Sequence, residues 1–131
     1  MQTSQKNKPF NLKDRIKSFI YAFNGIKEVI TTQHNAWIHI LIAITVICLG
    51  FIFSIKAGEW IAIVLSIGIV LAAEVFNTAI EALVDMVSPA FNEKAGKIKD
   101  MAAAAVLLTA IAAIFIGCII FFPYIVHFIK H

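Results

Sequence analysis

Cysteine is scarce in this chain of 131 residues, and its two copies cannot build a metal centre. Cys48 and Cys118 both lie inside long apolar stretches, where we expect two buried, apolar thiols. We expect no disulfide between them, and two cysteines alone cannot complete a tetrahedral zinc site. The sequence also lacks a Walker loop and the glycine-rich loop of protein kinases, which excludes the common nucleotide-binding folds that depend on those loops.

Charged residues are few as well, at 15% of the chain against 60% hydrophobic residues, and the mean hydropathy is +0.87. This composition excludes an ordinary soluble domain. Three apolar stretches, at residues 36–53, 60–87 and 100–128, each approach or exceed the roughly 20 residues that cross a bilayer core. The residues before them contain no continuous apolar core, so we expect no cleaved signal peptide. We therefore predict one all-α membrane domain over residues 1–131.

The basic residues are distributed unevenly about the three predicted spans. Nine of the eleven precede the first span or lie between the second and the third, and Lys56 and Lys130 lie on the other side. Because positive charge concentrates on the cytoplasmic side of membrane proteins, we expect a cytoplasmic N-terminus and an external C-terminus. Residues 88–99 then form a cytoplasmic loop, with Asp100 as the N-cap of the third span. The net charge of +3 suits an anionic leaflet or a phosphate ligand, and we expect no nucleic acid partner.

The N-terminal region divides into a polar tail and an amphipathic segment. Residues 1–10 are predicted to be disordered, and residues 11–33 to form a helix whose apolar side chains recur every three or four residues. Basic and polar side chains fill the other faces, so we expect this helix to lie along the membrane interface. Its role is left open between a plain membrane anchor and a cover over a substrate site.

Five polar residues share one face of the second predicted span. They are spaced i, i+3, i+4, i+7 and i+11, which places them within an arc of about 100° on a helix. We call them the polar stripe: Glu74, Asn77, Thr78, Glu81 and Asp85. Carboxylates at a membrane boundary are costly to bury and usually mark a functional site. Three acids on one face also repel each other, which favours a bound cation or protonation.

The depth of the stripe suits a reaction at the membrane surface. Counted from Trp60, Glu74 lies about 21 Å and Asp85 about 37 Å along the helix, whereas the hydrocarbon core is roughly 30 Å thick. The stripe thus runs from the cytoplasmic half of the membrane into water. That geometry can join a water-soluble reactant to a lipid head group, whereas a proton relay tends to place its acids near the midplane.

Basic residues on the same side complete a set of groups that phosphoryl transfer requires. Carboxylates bind Mg²⁺, and lysines such as Lys97 and Lys99 bind phosphates. A further carboxylate can act as a base at the attacking hydroxyl. Spacing alone leaves two alternatives open, a membrane phosphotransferase and an ion- or proton-coupled transporter.

Two segments resemble the signatures of the small prokaryotic diacylglycerol kinases. Residues 74–85 read EVFNTAIEALVD and match E-x-x-N-S/T-A-I-E-x-x-V-D. Residues 95–106 read AGKIKDMAAAAV and match A/S-G-K/R-x-K-D-x-A/G-A/S-A/G-A-V. The gap between the two segments agrees as well, and Tyr21 and Gly25 resemble a further block of that family. The resemblance covers about residues 12–122.

The resemblance implies an interfacial helix, three spans and a homotrimer whose active sites are shared between subunits. It also implies ATP- and Mg²⁺-dependent phosphorylation of a lipid alcohol, diacylglycerol or undecaprenol, by direct transfer in the bacterial inner membrane. By position, Glu74 is then the catalytic base at the lipid hydroxyl, Asn77 a head-group contact, and Glu81 a metal ligand, while Lys99 also contacts substrate. The implied nucleotide contacts are Tyr21, Glu81, Asp85, Asn92, Lys99 and Asp100.

The chain departs from the family pattern at the second metal ligand, a glutamate at the end of the interfacial helix. That position is Gln33, which is neutral, and Glu28 reaches it only with a shifted register.

Two functions compete with that of a lipid kinase. One is a regulatory homologue without catalysis, which Gln33 alone favours. The other is a small proton-coupled transporter, but such transporters have four spans. His34 and His39 are left open between packing and contact with a head group or phosphate. Residues around His39 and Ser88 resemble the branch that includes undecaprenol kinases.

Overall fold

The computed structural model describes residues 11–130, which form four α-helices and contain no strand. The helices are α1 (Leu12–Thr32), α2 (His34–Ile52), α3 (Ala57–Val87) and α4 (Glu93–Ile129). By length and composition α2, α3 and α4 can each cross a membrane, which confirms the all-α class and the three predicted spans. Residues 1–10, predicted to be disordered, lie outside the described residues.

α1 begins at a side-chain cap and ends at a change of backbone direction. The Asn11 side-chain oxygen accepts a hydrogen bond from the Lys13 N–H at 3.0 Å, which satisfies one free donor of the first turn. Gln33 has extended backbone, with φ −109° and ψ 112°, and is the single residue between α1 and α2. Of the residues in α1 only Val29 is buried, so this helix keeps an apolar face that the described chain leaves exposed.

The end of the bundle that carries the α2–α3 turn has a compact apolar core. Ile55 of the turn packs with Ile63 of α3 and with Ile120 and Phe121 of α4. All four side chains are at most 6% exposed. Because lipid tails are as apolar as these side chains, it is close packing rather than removal from water that joins the helices at this end.

Three close contacts reinforce the same end. The Glu59 carboxylate oxygen Oε2 accepts a hydrogen bond from the Lys56 N–H and another from the Tyr124 hydroxyl, each at 2.7 Å. The Trp60 ring lies against Gly50, where a Cβ atom would come within 2.8 Å of the ring. The close approach of α2 and α3 therefore requires a residue without a side chain at position 50.

α4 begins seven residues before the predicted start of the third span. Residues 88–92 are a non-helical connection, so the predicted loop at residues 88–99 is wrong only from residue 93 onward. The predicted N-cap at Asp100 is wrong, because the helix starts at Glu93 with Asn92 as its N-cap. The Asn92 side chain accepts two backbone N–H groups of the first turn, and Glu93 pairs with Lys97 at 2.7 Å. Residues 93–99 are thus a capped, mostly exposed stretch of helix rather than part of a loop. The other predicted helix ends agree within three residues.

Both cysteines are free, as expected, but neither is buried. Cys48 of α2 and Cys118 of α4 are exposed on the surface of the described chain. The prediction of buried thiols is therefore wrong at the level of one chain, because the apolar surroundings expected from the sequence are not supplied by neighbouring helices of that chain.

Candidate active site

The polar stripe contains the two buried polar side chains of the described core. Glu74 is 2% exposed and Asn77 is 8% exposed, and the three-residue spacing puts them on one face of α3. Further along α3, Glu81 is half-buried and Asp85 is exposed. The stripe therefore passes from a buried site to the exposed surface of the described chain.

Side chains of α1 and α2 enclose the buried end of the stripe. Ile26 and Val29 of α1 and Ala36 and Ile40 of α2 line, together with Glu74, a largely apolar cavity of about 250 Å³. α1 thus covers Glu74, which is one of the two roles that the sequence leaves open for this helix. A carboxylate in apolar surroundings is costly unless hydrogen bonds or an opposite charge compensate it.

The compensation within the chain is incomplete. Glu74 Oε1 and Asn77 Oδ1 are buried without a hydrogen-bond partner among residues 11–130. The Asn77 amide Nδ2 donates to Glu81 Oε1 at 3.0 Å. This bond fixes the orientation of the amide group, whose oxygen Oδ1 remains without a donor. The Thr78 hydroxyl donates to the Glu74 backbone carbonyl at 3.0 Å and is satisfied within α3. Two buried acceptors are left for donors from outside the chain, such as a substrate hydroxyl.

A histidine of α2 reaches the Glu74 carboxyl. His39 Nε2 lies 3.0 Å from Glu74 Oε1, close enough for attraction, but the contact lacks the alignment of a hydrogen bond. His39 also lines a second apolar cavity, of about 330 Å³, between α2, α3 and α4. The sequence leaves His39 between packing and head-group contact and gives no sign of this pairing, because periodicity does not reveal contacts between helices.

An ion pair joins α3 to α4 at the exposed end of the stripe. Lys99 Nζ donates to Asp85 Oδ1, and the two side chains are 35% and 64% exposed. The pair brings the two sequence signatures together across 14 positions of the chain. An exposed pair of this kind stabilises a fold by about 0–1 kcal/mol, so stability alone gives little reason for it. A cation held at this place is available to a phosphate.

The other predicted nucleotide residues form no side-chain hydrogen bond or ion pair with Asp85 or Lys99 among the described residues. The Tyr21 side chain is 69% exposed, and neither it nor exposed Asp100 makes a side-chain hydrogen bond or ion pair with the described residues. The Asn92 side chain caps α4. Gln33 is half-buried between α1 and α2, where its backbone N–H donates to the Val29 carbonyl and its side chain makes no capping bond.

A magnesium ion would find one suitable carboxylate in the stripe. No three His, Cys, Asp or Glu side chains of the described chain come together as a metal site. However, Mg²⁺ at phosphoryl-transfer sites is commonly held by one or two carboxylates together with substrate phosphates and water. Glu81 fits that role, because it accepts one bond from Asn77 and retains further acceptor capacity. Gln33 offers only a neutral oxygen.

The two signatures fall within a single family match. The family described as prokaryotic diacylglycerol kinase matches residues 20–121. The chain belongs to this family. The undecaprenol kinase of Bacillus subtilis is 38% identical over 107 residues, which cover 82% of this chain and 87% of that protein. The diacylglycerol kinase of Synechocystis sp. is 36% identical over 107 residues, 81% of this chain and 61% of that protein. That of Escherichia coli K12 is 29% identical over 108 residues, 80% of this chain and 86% of that protein.

Membership of the prokaryotic diacylglycerol kinase family assigns the enzyme class. The protein is a lipid kinase, and a kinase uses ATP as its co-substrate. With its three apolar helices it is a multi-pass protein of the bacterial inner membrane. Neither the structure nor the relatives favour the alternative of a proton-coupled transporter.

Proposed function

We propose that this protein transfers the γ-phosphoryl group of ATP to the hydroxyl of a membrane lipid alcohol, diacylglycerol or undecaprenol. One observation carries the proposal: the Glu74 carboxyl is buried in α3 with an acceptor oxygen that nothing in residues 11–130 satisfies. A lipid hydroxyl supplies the missing donor, and a carboxylate that accepts it can act as the base. The names of the relatives, undecaprenol kinase and diacylglycerol kinase, support the same substrates.

In the proposed reaction the lipid hydroxyl oxygen attacks the γ-phosphorus directly. The bond from that phosphorus to the bridging oxygen of ADP breaks, and Glu74 takes the hydroxyl proton. Asn77, whose Oδ1 is also unsatisfied, binds the head group. We propose that no phosphoenzyme forms, as the family resemblance implies. In support, the stripe has no serine, cysteine or histidine, and the Thr78 hydroxyl is bonded to a backbone carbonyl.

The nucleotide is proposed to bind at the exposed end of the stripe. Asp85 holds Lys99 there, and a phosphate group competes with Asp85 for the ammonium. Lys99 then offsets charge on the phosphates during transfer. Mg²⁺, when bound, offsets further phosphate charge, with Glu81 as its protein ligand and Gln33 as a weaker one. The other nucleotide contacts that the family pattern supports are Tyr21, Asn92 and Asp100.

We also propose a homotrimer with active sites shared between subunits. Glu74 and Asp85 lie about 16 Å apart along α3, whereas reacting atoms must approach to about 3–3.5 Å. Lys99, which contacts Asp85, is therefore distant from Glu74 of its own chain. Mixing Glu74→Gln chains with Lys99→Ala chains tests the arrangement. Shared sites predict partial recovery of activity in the mixture, and its absence would favour sites within one chain.

The proposed orientation places the exposed end of the stripe in the cytoplasm, where ATP is available. α1 lies along the cytoplasmic interface, the N-terminus is cytoplasmic and the C-terminus external. The distribution of basic residues supports this orientation, and the exposed apolar side chains of α1 support its contact with lipid.

The decisive experiment is a phosphorylation assay on the purified protein in lipid vesicles. Labelled ATP is supplied with diacylglycerol or undecaprenol, side by side, and Glu74→Gln is assayed in parallel. Transfer of label to one lipid by the wild type, lost in the variant, would support the proposal and identify the substrate. A wild type that labels neither lipid would instead support the regulatory homologue that Gln33 favours.

A further inference from the structure

His39 is the residue of α2 that contacts the proposed base. Its Nε2 atom lies 3.0 Å from Glu74 Oε1, and the two side chains are 20% and 3% exposed. Oε1 has no hydrogen-bond donor within the described residues, and the imidazole of His39 is a polar group close enough to interact with this oxygen. The contact joins two helices, and it is independent of the hydrogen bonds that organise the rest of the stripe on α3.

His39 also lies beside an apolar cavity between the membrane helices. His39 lines the cavity of about 330 Å³ between α2, α3 and α4, whose walls are otherwise mainly aliphatic. Val46, about two turns after His39 on α2, lines the same cavity, so the cavity extends along α2 away from the carboxyl. The imidazole therefore lies between an apolar space that fits a hydrocarbon chain and the oxygen that needs a donor.

We propose that His39 is a positioning residue for Glu74, and this inference rests on the proposed function. By its contact with Oε1 the imidazole fixes the rotation of the carboxyl, and the acceptor capacity that remains on this oxygen is left for the lipid hydroxyl. A base oriented by a third group is the arrangement by which many active sites raise their rate. The present alignment is compatible with this role, because catalytic hydrogen bonds often tighten only when substrate binds.

A merely structural histidine and a positioning histidine predict different kinetics. His39→Leu keeps most of the side-chain volume but has no polar atom, whereas His39→Gln keeps an amide N–H at nearly the reach of Nε2. If His39 positions Glu74, the leucine variant lowers kcat by about 10- to 100-fold, the range expected for a displaced catalytic group. KM for ATP stays within about twofold, and glutamine restores most of the lost kcat.

The experiment uses the full-length protein in vesicles with whichever lipid the wild type phosphorylates. His34→Leu is the matched control, because His34 also lies on α2 but is exposed and forms no side-chain hydrogen bond or ion pair with the described residues. Wild-type kcat in His39→Leu, no recovery in His39→Gln, or an equal loss in His34→Leu would each overturn the inference. A wild type without activity would count against the proposed function instead.

A second measurement tests whether His39 and Glu74 interact and does not depend on enzyme activity. It also applies if His39→Leu does not fold. The imidazole ¹⁵N signals of the four histidines are recorded in wild type and in Glu74→Gln. Loss of the neighbouring carboxyl is expected to shift the His39 signals and to leave those of His34 in place. Unchanged His39 signals would show that the two side chains do not interact and would overturn the inference.

Discussion

Replacing Glu74 by glutamine separates what the buried carboxyl does for catalysis from what it does for the fold. The amide has nearly the same size, so its packing against α1 and α2 is retained. It cannot take the hydroxyl proton, and a positioned general base contributes typically about 10²- to 10⁴-fold. We therefore expect kcat to fall by at least about 10²-fold, or about 3 kcal/mol of barrier, with ATP binding nearly unchanged.

The thermal stability of Glu74→Gln, unlike its kcat, should not fall. Glu74 is 2% exposed and its Oε1 lacks a hydrogen-bond donor in the described chain. A buried unsatisfied group costs about 1–3 kcal/mol, and more when it is charged. The opposing loss is the contact with His39, whose side chain is 20% exposed and approaches Oε1 without the alignment of a hydrogen bond. The removed charge outweighs the lost contact, so Glu74→Gln should unfold at an equal or higher temperature than the wild type.

Both quantities can be measured on one preparation. Turnover follows from labelled ATP in vesicles, and stability from thermal unfolding in the same lipid. Glu93→Gln is the control, because Glu93 is 78% exposed in a surface pair and should change neither quantity. Turnover of Glu74→Gln within about threefold of the wild type would remove Glu74 as a base. A loss of about 3 kcal/mol or more in stability would show that the carboxyl is chiefly one half of a buried ion pair.

Three further predictions concern the metal and the packed end of the bundle. Glu81→Ala should raise the Mg²⁺ concentration for half-maximal activity, because a hard cation loses a carboxylate ligand, and an unchanged metal titration would remove Glu81 from that role. Gln33→Glu should lower this concentration at fixed ATP by adding negative charge, and an unchanged or higher requirement would place Gln33 outside the site. Gly50→Ala should reduce the free energy of unfolding by about 1–3 kcal/mol, since its Cβ would lie 2.8 Å from the Trp60 ring. Gly58→Ala meets no atom within 4 Å and is the matched control, so equal melting of the two variants would contradict the packing argument.

Contacts within one helix could be predicted from the sequence. The spacing of Glu74, Asn77 and Glu81 places them on one face, and in the structure the Asn77 amide donates to Glu81 one turn further along the helix. The three spans could also be predicted, because the number of consecutive apolar residues gives the length of a single helix. Both predictions depend only on the geometry within one helix. The start of α4 was missed although its signals are local: a capping Asn92 followed by Glu93, in a run polar enough to resemble a loop.

Contacts between helices were decided by the tertiary structure. Nothing in the spacing of α3 indicates that α1 covers Glu74, that His39 approaches Oε1, or that Lys99 pairs with Asp85. Helical periodicity determines which side chains share a face, because that depends only on rotation per residue. Which helix packs against that face depends on the fit of side chains far apart in the chain. The sequence alone therefore identified the stripe and its family, and the packing of α1, α2 and α4 around α3 turned part of that stripe into a buried site.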